Sequence, residues 1–257
     1  MINSSQLKKY AELIEKAPDL EGVNLCCNIC GFSFAKFLPF GLKQRQNAQC
    51  PMCSSLERHR HLYIHLLPLL LTAPNAKLLH FAPEKILKSV ITNTTIKYFD
   101  ADITPGRATL VEDMTNISFD SNFFDYCLAI HILEHIVDDV KAMKELFRVL
   151  RPGGKAILIV PVREKSFEDY TITDPNDRET HFGQSDHVRY YSLNLFTERL
   201  HSVGFSTTVI GKKHFPINIW ERHKLGDFIV VASKPEITPT CFSKNTSLFS
   251  KFKKKLR

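Results

Sequence analysis

Apolar residues change their spacing along the chain, and the spacing predicts its elements. In residues 5–16 they recur every three or four positions, which predicts a short helix that ends before Pro18. From Lys77 onward, short apolar runs alternate with helical patterns, as in an open, mostly parallel α/β sheet with helices on both faces. The predicted strands are KLLHFA, TIKYFD, ATLVE, FDYCLAI, KAILIVPV, STTVI and DFIVVAS, and the predicted helices are PEKILKSVI, the stretch around Val140, Met143, Phe147 and Leu150, and SLNLFTERLHSVG.

The chain before this alternation has a different character. Residues 26–53 are rich in Phe and turn residues, which predicts two knuckles joined by a β-like excursion. Ser54 and Glu57 offer a capping box, so SSLERHRHLYIHLLPLLL should form a helix that is disturbed near Pro68. We therefore expect three parts: residues 1–73 with a helix, the knuckles and a connecting helix, residues 74–236 with the sheet, and residues 237–257 as a basic flexible tail.

The composition is typical of a folded protein that does not span a membrane. Of its 257 residues, 44% are hydrophobic and 24% are charged, which is enough apolar material for a sizeable core. The densest aliphatic run, LLPLLL, is far shorter than the roughly 20 residues of a membrane span. We expect a cytoplasmic protein without a secretory signal. The net charge of +7 is concentrated in the last stretch, so it is weak evidence for a nucleic-acid partner.

Four of the seven cysteines form two C-x-x-C pairs, Cys27 with Cys30 and Cys50 with Cys53. Two thiolates separated by two residues can share one cation at roughly 2.3 Å, and two such pairs complete a tetrahedral zinc site. Because four thiolates leave no open position, the zinc would be structural. Buried free thiols or a redox pair are the alternatives, and Cys26 could replace Cys27 in a poorer knuckle.

Other side chains that can bind metal carry less weight. His61 and His65 are four residues apart on the predicted connecting helix, but histidines so placed are usually solvated or hydrogen-bonded. Cys127 lies in an apolar strand and is expected to be a core residue and not a nucleophile.

The run from LLHFAPE through YFDADI and VEDMTNISF to FDYCLAIHILEHIVDDVKAMKELFRVLRPGGKAILIVPV resembles class I S-adenosylmethionine-dependent methyltransferases, in the group whose fourth strand leads into an LEH motif. The resemblance covers roughly residues 77–233. It implies a Rossmann-like seven-stranded sheet with an antiparallel last strand, which binds S-adenosylmethionine across the carboxyl ends of its first strands.

The first motif departs from the family pattern of an acid followed by G-x-G. His80 takes the place of the acid, Ala82 that of the first glycine and Glu84 that of the second. The cofactor has no phosphates, so the usual reason for glycines is weaker here. Ala82 is small enough for close approach, and Glu84 is a candidate for the cofactor's ammonium group or for capping the next helix.

Later positions match the family better. The resemblance implies that Asp102 holds the ribose hydroxyls, with Asp100 as the competing register. It also implies that Asp113 and Met114 contact the adenine, and that His131 lies beside the methionine end of the cofactor. Glu134 and His135 match LEH, and the alternative is that they only shape the turn and cap the helix.

The segment ETHFGQSDHVRYYS follows the fifth strand, where this family covers its substrate. His181 and His187 are candidate general bases, with His131 as a third, because a neutral imidazole accepts a proton near pH 7. Asp186, Arg189 and Tyr190 are candidate substrate-binding residues for a polar or anionic acceptor.

Three functions follow as hypotheses. The first is methyl transfer to an O or N atom of a small molecule or a glycan intermediate. The second is an RNA methyltransferase whose zinc module binds RNA, with aromatic residues of GFSFAKFLPF stacking on bases and Lys36, Lys43 and Arg45 near phosphates. The third is a catalytically silent module. The sequence leaves the oligomeric state open.

Overall fold

A computed structural model describes residues 2–236, and the predicted basic tail at 237–257 lies outside them. In chain order the helices are α1 Ser4–Lys16, α2 Glu57–Thr72, α3 Lys85–Thr92, α4 Asp139–Val149, α5 Pro175–Phe182, α6 Leu193–Val203 and α7 Ile217–His223. The strands are β1 Leu25–Cys26, β2 Ser33–Phe34, β3 Leu38–Phe40, β4 Arg45–Gln49, β5 Lys77–Phe81, β6 Lys97–Asp102, β7 Leu110–Val111, β8 Phe124–Ile130, β9 Leu150–Ile159, β10 Phe167–Glu168, β11 Arg189–Tyr190, β12 Ser206–Ile210 and β13 Ile229–Ser233. Short 3₁₀ turns occupy Pro18–Leu20, Leu133–His135 and Lys212–His214.

Seven strands form the central sheet, in the order β12-β13-β9-β8-β5-β6-β7. The pairs from β9 through β8, β5 and β6 to β7 are parallel, whereas β13 is antiparallel to both of its neighbours. The predicted α/β sheet with an antiparallel last strand is therefore confirmed. The strand order reverses between β5 and β8, and ligands of open parallel sheets bind in the crevice at such a reversal.

Two apolar layers cover the sheet because successive side chains of its strands point to opposite faces. One face carries Leu79, Phe81 and Ala129 and packs on α4 and α6. The other carries Leu78, Leu128 and Ile157 and packs on α2 and α3. Helix α2, predicted as a connection, thus covers the sheet with Leu62, Leu66 and Leu70. It begins at Glu57, three residues after the predicted cap, and it continues through Pro68.

The N-terminal part has its own small core. Buried Phe32, Phe34 and Phe37 lie around the cysteines, and Tyr10 of α1 stacks on Phe32 with ring centroids 4.8 Å apart. Strands β1 and β2 form one antiparallel pair and β3 and β4 another, as the predicted β-like excursion requires.

Arg60 joins this part to the sheet domain. Its guanidinium is completely buried and donates to the carbonyls of Ser55 and Ala48 on one side, and of His223 and Lys224 on the other. His223 returns a contact of 2.7 Å from its Nδ1 to the carbonyl of Cys26. Among residues 2–236, every helix is too short or too polar to cross a lipid bilayer.

Candidate active site

A cavity of about 230 Å³ opens at the carboxyl ends of the parallel strands. The loops after β5, β6 and β7 and the turn after β8 form its walls. Among the side chains that line it are Ala82, Asp102, Asp113, Met114 and His135. This is the position at which an open parallel sheet holds a nucleoside ligand.

The loop after β5 makes its tight turn without glycine. Ala82 has a left-handed φ of +45°, and its amide donates to the carbonyl of Ala101 at 2.8 Å. A single methyl group is the smallest side chain that an L-residue can bring to such a turn, so the cavity wall here stays close to the backbone.

His80, the residue at the place of the family's acid, points away from the cavity. It lies on the sheet face opposite to Phe81, which lines the cavity, and it is completely buried. Its Nδ1 lies 2.9 Å from the Tyr98 hydroxyl, and burial lowers the pKa of His80 to about 4. The imidazole is therefore neutral near pH 7 and packs beneath the site.

Glu84 also turns away from the cavity. It occupies the N-cap position of α3, but its side chain makes no capping hydrogen bond. Instead one carboxylate oxygen lies 2.6 Å from Arg58 Nη2 and the other 2.8 Å from His59 Nε2, both on α2. Burial raises the pKa of Glu84, but His59 and Arg58 outweigh it and lower the pKa to about 2. The structure thus gives Glu84 a role in joining α3 to α2, which corrects both predictions for it, as a ligand of the cofactor's ammonium group and as a cap of α3.

The structure separates Asp102 from the competing Asp100. Asp102 ends β6, lines the cavity and accepts a hydrogen bond from the Thr104 amide at 2.8 Å through Oδ1. Asp100 is buried and pairs with Lys88 of α3 at 2.5 Å. Burial raises the pKa of Asp100, but Lys88 and Thr109 outweigh it and lower it. Asp102 is therefore the carboxylate that a ligand in the cavity would meet.

The loop after β7 supplies the opposite wall. Met114 is buried with its side chain on the cavity, and Asp113 is exposed there, with Oδ1 accepting from the Thr115 amide at 2.8 Å. The neighbouring Glu112 also lines the cavity, but its carboxylate binds the amide and hydroxyl of Ser118.

Beyond β8, the 3₁₀ turn Leu133–His135 places a group of polar side chains beside the cavity. Glu134 is completely buried, and one of its oxygens lies 3.1 Å from Nδ1 of His131. The rings of His135 and His187 meet edge to face with centroids 4.5 Å apart. Burial lowers the pKa of His187, so its imidazole is neutral near pH 7. Of the two predicted bases in the acceptor segment, the structure brings only His187 to this group.

The structure also corrects the prediction that Arg189 binds substrate. Its side chain is 1% exposed, and its nitrogens donate to the carbonyls of Leu133, Ile136 and Val137 and to the Tyr170 hydroxyl. It also pairs with Glu168 at 3.1 Å. These bonds occupy all three guanidinium nitrogens, so Arg189 fixes the turn after β8 and leaves no donor for an acceptor molecule.

The remaining predicted acceptor residues are spread apart. His181 is exposed on α5 beside Phe167, and Tyr190 of β11 lies under the guanidinium of Arg163, 4.3 Å from the ring centroid. Asp186 is 68% exposed and has one oxygen 3.2 Å from Nδ1 of His135. Only Asp186 therefore touches the polar group beside the cavity.

The four predicted cysteine ligands meet in one cluster. Their sulfurs lie within 4.8 Å of one another, with Cys27 to Cys53 at 3.6 Å and Cys30 to Cys50 at 3.7 Å. Four sulfurs at about 2.3 Å from a zinc ion would be about 3.8 Å apart, so the cluster fits a tetrahedral site. These distances also exceed the roughly 2 Å of a disulfide bond.

The backbone repeats itself around the two cysteine pairs. Gly31 and Ser54 each follow the second cysteine with a left-handed φ, of +80° and +60°. Their amides donate to the carbonyls of Cys27 and Cys50 at 2.8 and 2.9 Å. This shared turn aims both thiols of each pair inward.

The other metal-binding side chains considered, His61, His65 and Cys127, lie outside this cluster. His61 and His65 pack against Phe215, and His61 also against Trp220. Cys127 is buried in the sheet core, where burial raises the pKa of its thiol.

Comparison with known proteins agrees with this architecture. Residues 75–158 match the family model described as a methyltransferase domain. This segment contains β5 to β8, the cavity loops and most of β9.

The chain is 28% identical over 94 residues to sterol 4-C-methyltransferase strm-1 of Caenorhabditis elegans, an alignment covering 37% of this chain and 26% of that protein. It is 40% identical over 47 residues to the ubiquinone/menaquinone biosynthesis C-methyltransferase UbiE of Bdellovibrio bacteriovorus, covering 18% of this chain and 20% of that protein. The matched segments thus span about a quarter or less of these relatives. The crystal structure of the [4+2]-cyclase SpnF has the same fold, with a TM-score of 0.52 and 14% identity, covering 91% of this chain and 98% of that chain.

Proposed function

We propose that the protein is an S-adenosylmethionine-dependent methyltransferase that transfers a methyl group to an O or N atom of a small molecule or a glycan intermediate. The observation that carries this proposal is the carboxylate of Asp102 on the cavity at the strand reversal, inside the segment that matches a methyltransferase domain. When bound, the cofactor supplies an electrophilic methyl group on sulfur.

The residues of the cavity fit a nucleoside with an amino-acid tail. Asp102 keeps Oδ2 for ribose hydroxyls, because its hydrogen bond to Thr104 uses Oδ1. Met114 offers an apolar surface to the adenine, and Asp113 an acceptor for its amino group. No phosphate is present in this ligand, so the turn at Ala82 needs no glycine-rich cradle.

A second, more open depression lies at the segment that is predicted to cover the substrate. It is lined by Glu179, Gln184, Ser185 and Asp186 of that segment and by Leu42. Its polar lining favours a polar acceptor. The curated relatives named above are C-methyltransferases, so a search for the acceptor has to include carbon nucleophiles as well.

The RNA hypothesis is less well supported by the N-terminal part. Phe32, Phe34 and Phe37 are buried in its core and are not free to stack on bases. Lys36 pairs with Asp19 at 2.6 Å and Arg45 with Glu57 at 3.1 Å. We propose instead that the cysteine cluster binds one structural zinc ion that stabilises this part.

Isothermal titration with S-adenosylmethionine, followed by a screen of cell extracts with methyl-labelled cofactor, tests the proposal. Saturable binding and label transfer to a small acceptor are expected. A chain that binds no cofactor would be the silent module of the third hypothesis. Label found in RNA, with binding that weakens steeply as salt rises, would favour the second.

A further inference from the structure

Three side chains of the kinds that ligate metals meet beside the cavity. Glu134, His135 and His187 each offer one donor atom, and these atoms lie within 4.8 Å of one another. Two of the three come from the 3₁₀ turn after β8, and His187 comes from the loop before β11. The group is separate from the cysteine cluster, which has its own four ligands.

Two of these side chains are buried with a free polar atom. Glu134 is completely buried and His187 is 4% exposed. Within residues 2–236, neither Oε2 of Glu134 nor Nδ1 of His187 has a hydrogen-bond partner. Buried polar atoms are almost always satisfied, and leaving a carboxylate oxygen without a partner is costly. The free atoms therefore point to a ligand that supplies the missing interaction.

The surrounding residues orient the group for metal binding. Nδ1 of His135 lies 3.2 Å from Asp186, and Nδ1 of His131 lies 3.1 Å from the other oxygen of Glu134. Because an ionised carboxylate only accepts hydrogen bonds, both Nδ1 atoms carry the proton. The lone pair of His135 is then on Nε2. Carboxylates that hold a histidine, and donors that hold a carboxylate, are the usual partners of metal ligands.

We propose that Glu134, His135 and His187 bind one divalent transition-metal ion, and that this ion holds the oxygen of a hydroxyl acceptor next to the cofactor cavity. Two histidines and one carboxylate leave open coordination positions for such a ligand. The placement fits, since His135 lines the cofactor cavity and its partner Asp186 lines the open depression. The acceptor role rests on the proposed methyltransferase function, whereas the metal site does not.

In the reaction, the acceptor hydroxyl bound to the ion gives up its proton to solvent, because a divalent cation lowers the pKa of a bound O–H group. The oxygen then forms a bond to the methyl carbon while the bond from that carbon to sulfur breaks, and the electron pair stays on sulfur. One proton is released for each methyl ether formed, and the metal keeps its charge.

The site is tested by titrating the purified full chain with Mn²⁺ alone. Binding is measured as the loss of the free-ion signal in electron paramagnetic resonance. Mn²⁺ prefers oxygen and imidazole ligands over thiolates, so the cysteine cluster does not compete for it. We expect one Mn²⁺ per chain in the absence of cofactor. Glu134→Gln and His187→Ala should each weaken binding by at least tenfold, and Asp186→Asn by about tenfold through the orientation of His135.

His181→Ala is the matched control, since this histidine is exposed in the same segment and lies outside the group. Its Mn²⁺ affinity should equal that of the wild type. Asp186 is at the surface, so its variant should fold even if a change at buried Glu134 does not. Equal Mn²⁺ affinity in the wild type and in the Asp186→Asn and His187→Ala variants would overturn the site. Mn²⁺ binding without any cofactor binding would support the site and reject the methyltransferase function.

Discussion

Replacing Asp102 is the sharpest perturbation of the proposed cofactor site. In Asp102→Asn, the side-chain carbonyl still accepts the hydrogen bond that Oδ1 now takes from the Thr104 amide at 2.8 Å, so the loop keeps its turn. The charge and the acceptor at the second oxygen are lost. A hydrogen bond to a charged group contributes about 1.5 to 3 kcal/mol. One such bond lost should therefore weaken S-adenosylmethionine binding roughly 10- to 150-fold.

Isothermal titration calorimetry of wild type, Asp102→Asn, Asp102→Ala and Asp100→Asn measures this effect. Asp102→Ala should lose at least as much affinity as Asp102→Asn. Asp100→Asn is the matched control, because this variant breaks the pair with Lys88 outside the cavity. It should lower the melting temperature and leave the cofactor affinity unchanged. Wild-type affinity in Asp102→Ala, or a larger loss in Asp100→Asn, would refute the assignment.

Three further predictions concern stability. Elemental analysis should find about one zinc per chain, and Cys53→Ser should lose the metal and lower the melting temperature, since a structural zinc contributes folding free energy; metal-free wild-type protein would contradict this. Arg189→Met should destabilise the fold by about 3 kcal/mol in urea titrations, the low end for a broken buried pair. Asp139 lies 3.7 Å from Arg189 but keeps a second partner in Arg199 at 2.5 Å, so it is not left unpaired. An unchanged midpoint would return Arg189 to a substrate role. His80 stays neutral in the fold down to a pKa of about 4, whereas the unfolded chain takes up its proton near pH 6.5, so stability should fall as pH drops through this window. His80→Leu should flatten that loss of unfolding free energy, by up to about 1.4 kcal/mol per pH unit, and a slope equal to that of the wild type would show that another group titrates.

The strands of the sheet could be predicted where a short run of apolar residues forms a single buried strand. FDYCLAI forms β8 at the predicted residues because five of its seven side chains are buried between the two helix layers. Helix α5 was missed because PNDRETHF has no apolar periodicity, and Phe182 is its only buried residue. The sequence nevertheless contains the residues that define both ends of this helix. Asp174 caps it, Pro175 opens it and Gly183 closes it with a left-handed φ of +86°.

A residue of the candidate site could be predicted when its position is set by the strand to which it belongs. Asp102 is the last residue of β6, and this position at the carboxyl end of the strand places it on the cavity. The prediction for Arg189 is wrong because its partners lie 19 to 56 residues earlier in the chain. Spacing alone does not reveal that an arginine is already fully bonded. The meeting of Glu134 and His135 with His187 depends on the same long-range packing.

The buried guanidinium of Arg60 has a thermodynamic consequence. It donates to carbonyls of the N-terminal part and of the segment that leads into β13, and these are the two ends of the described chain. Opening either end alone would leave a buried charge with half of its acceptors, which is costly. The cysteine-rich part and the last strand of the sheet should therefore melt in one cooperative transition, so that removal of the proposed zinc ion from the cysteines would also loosen the last strand.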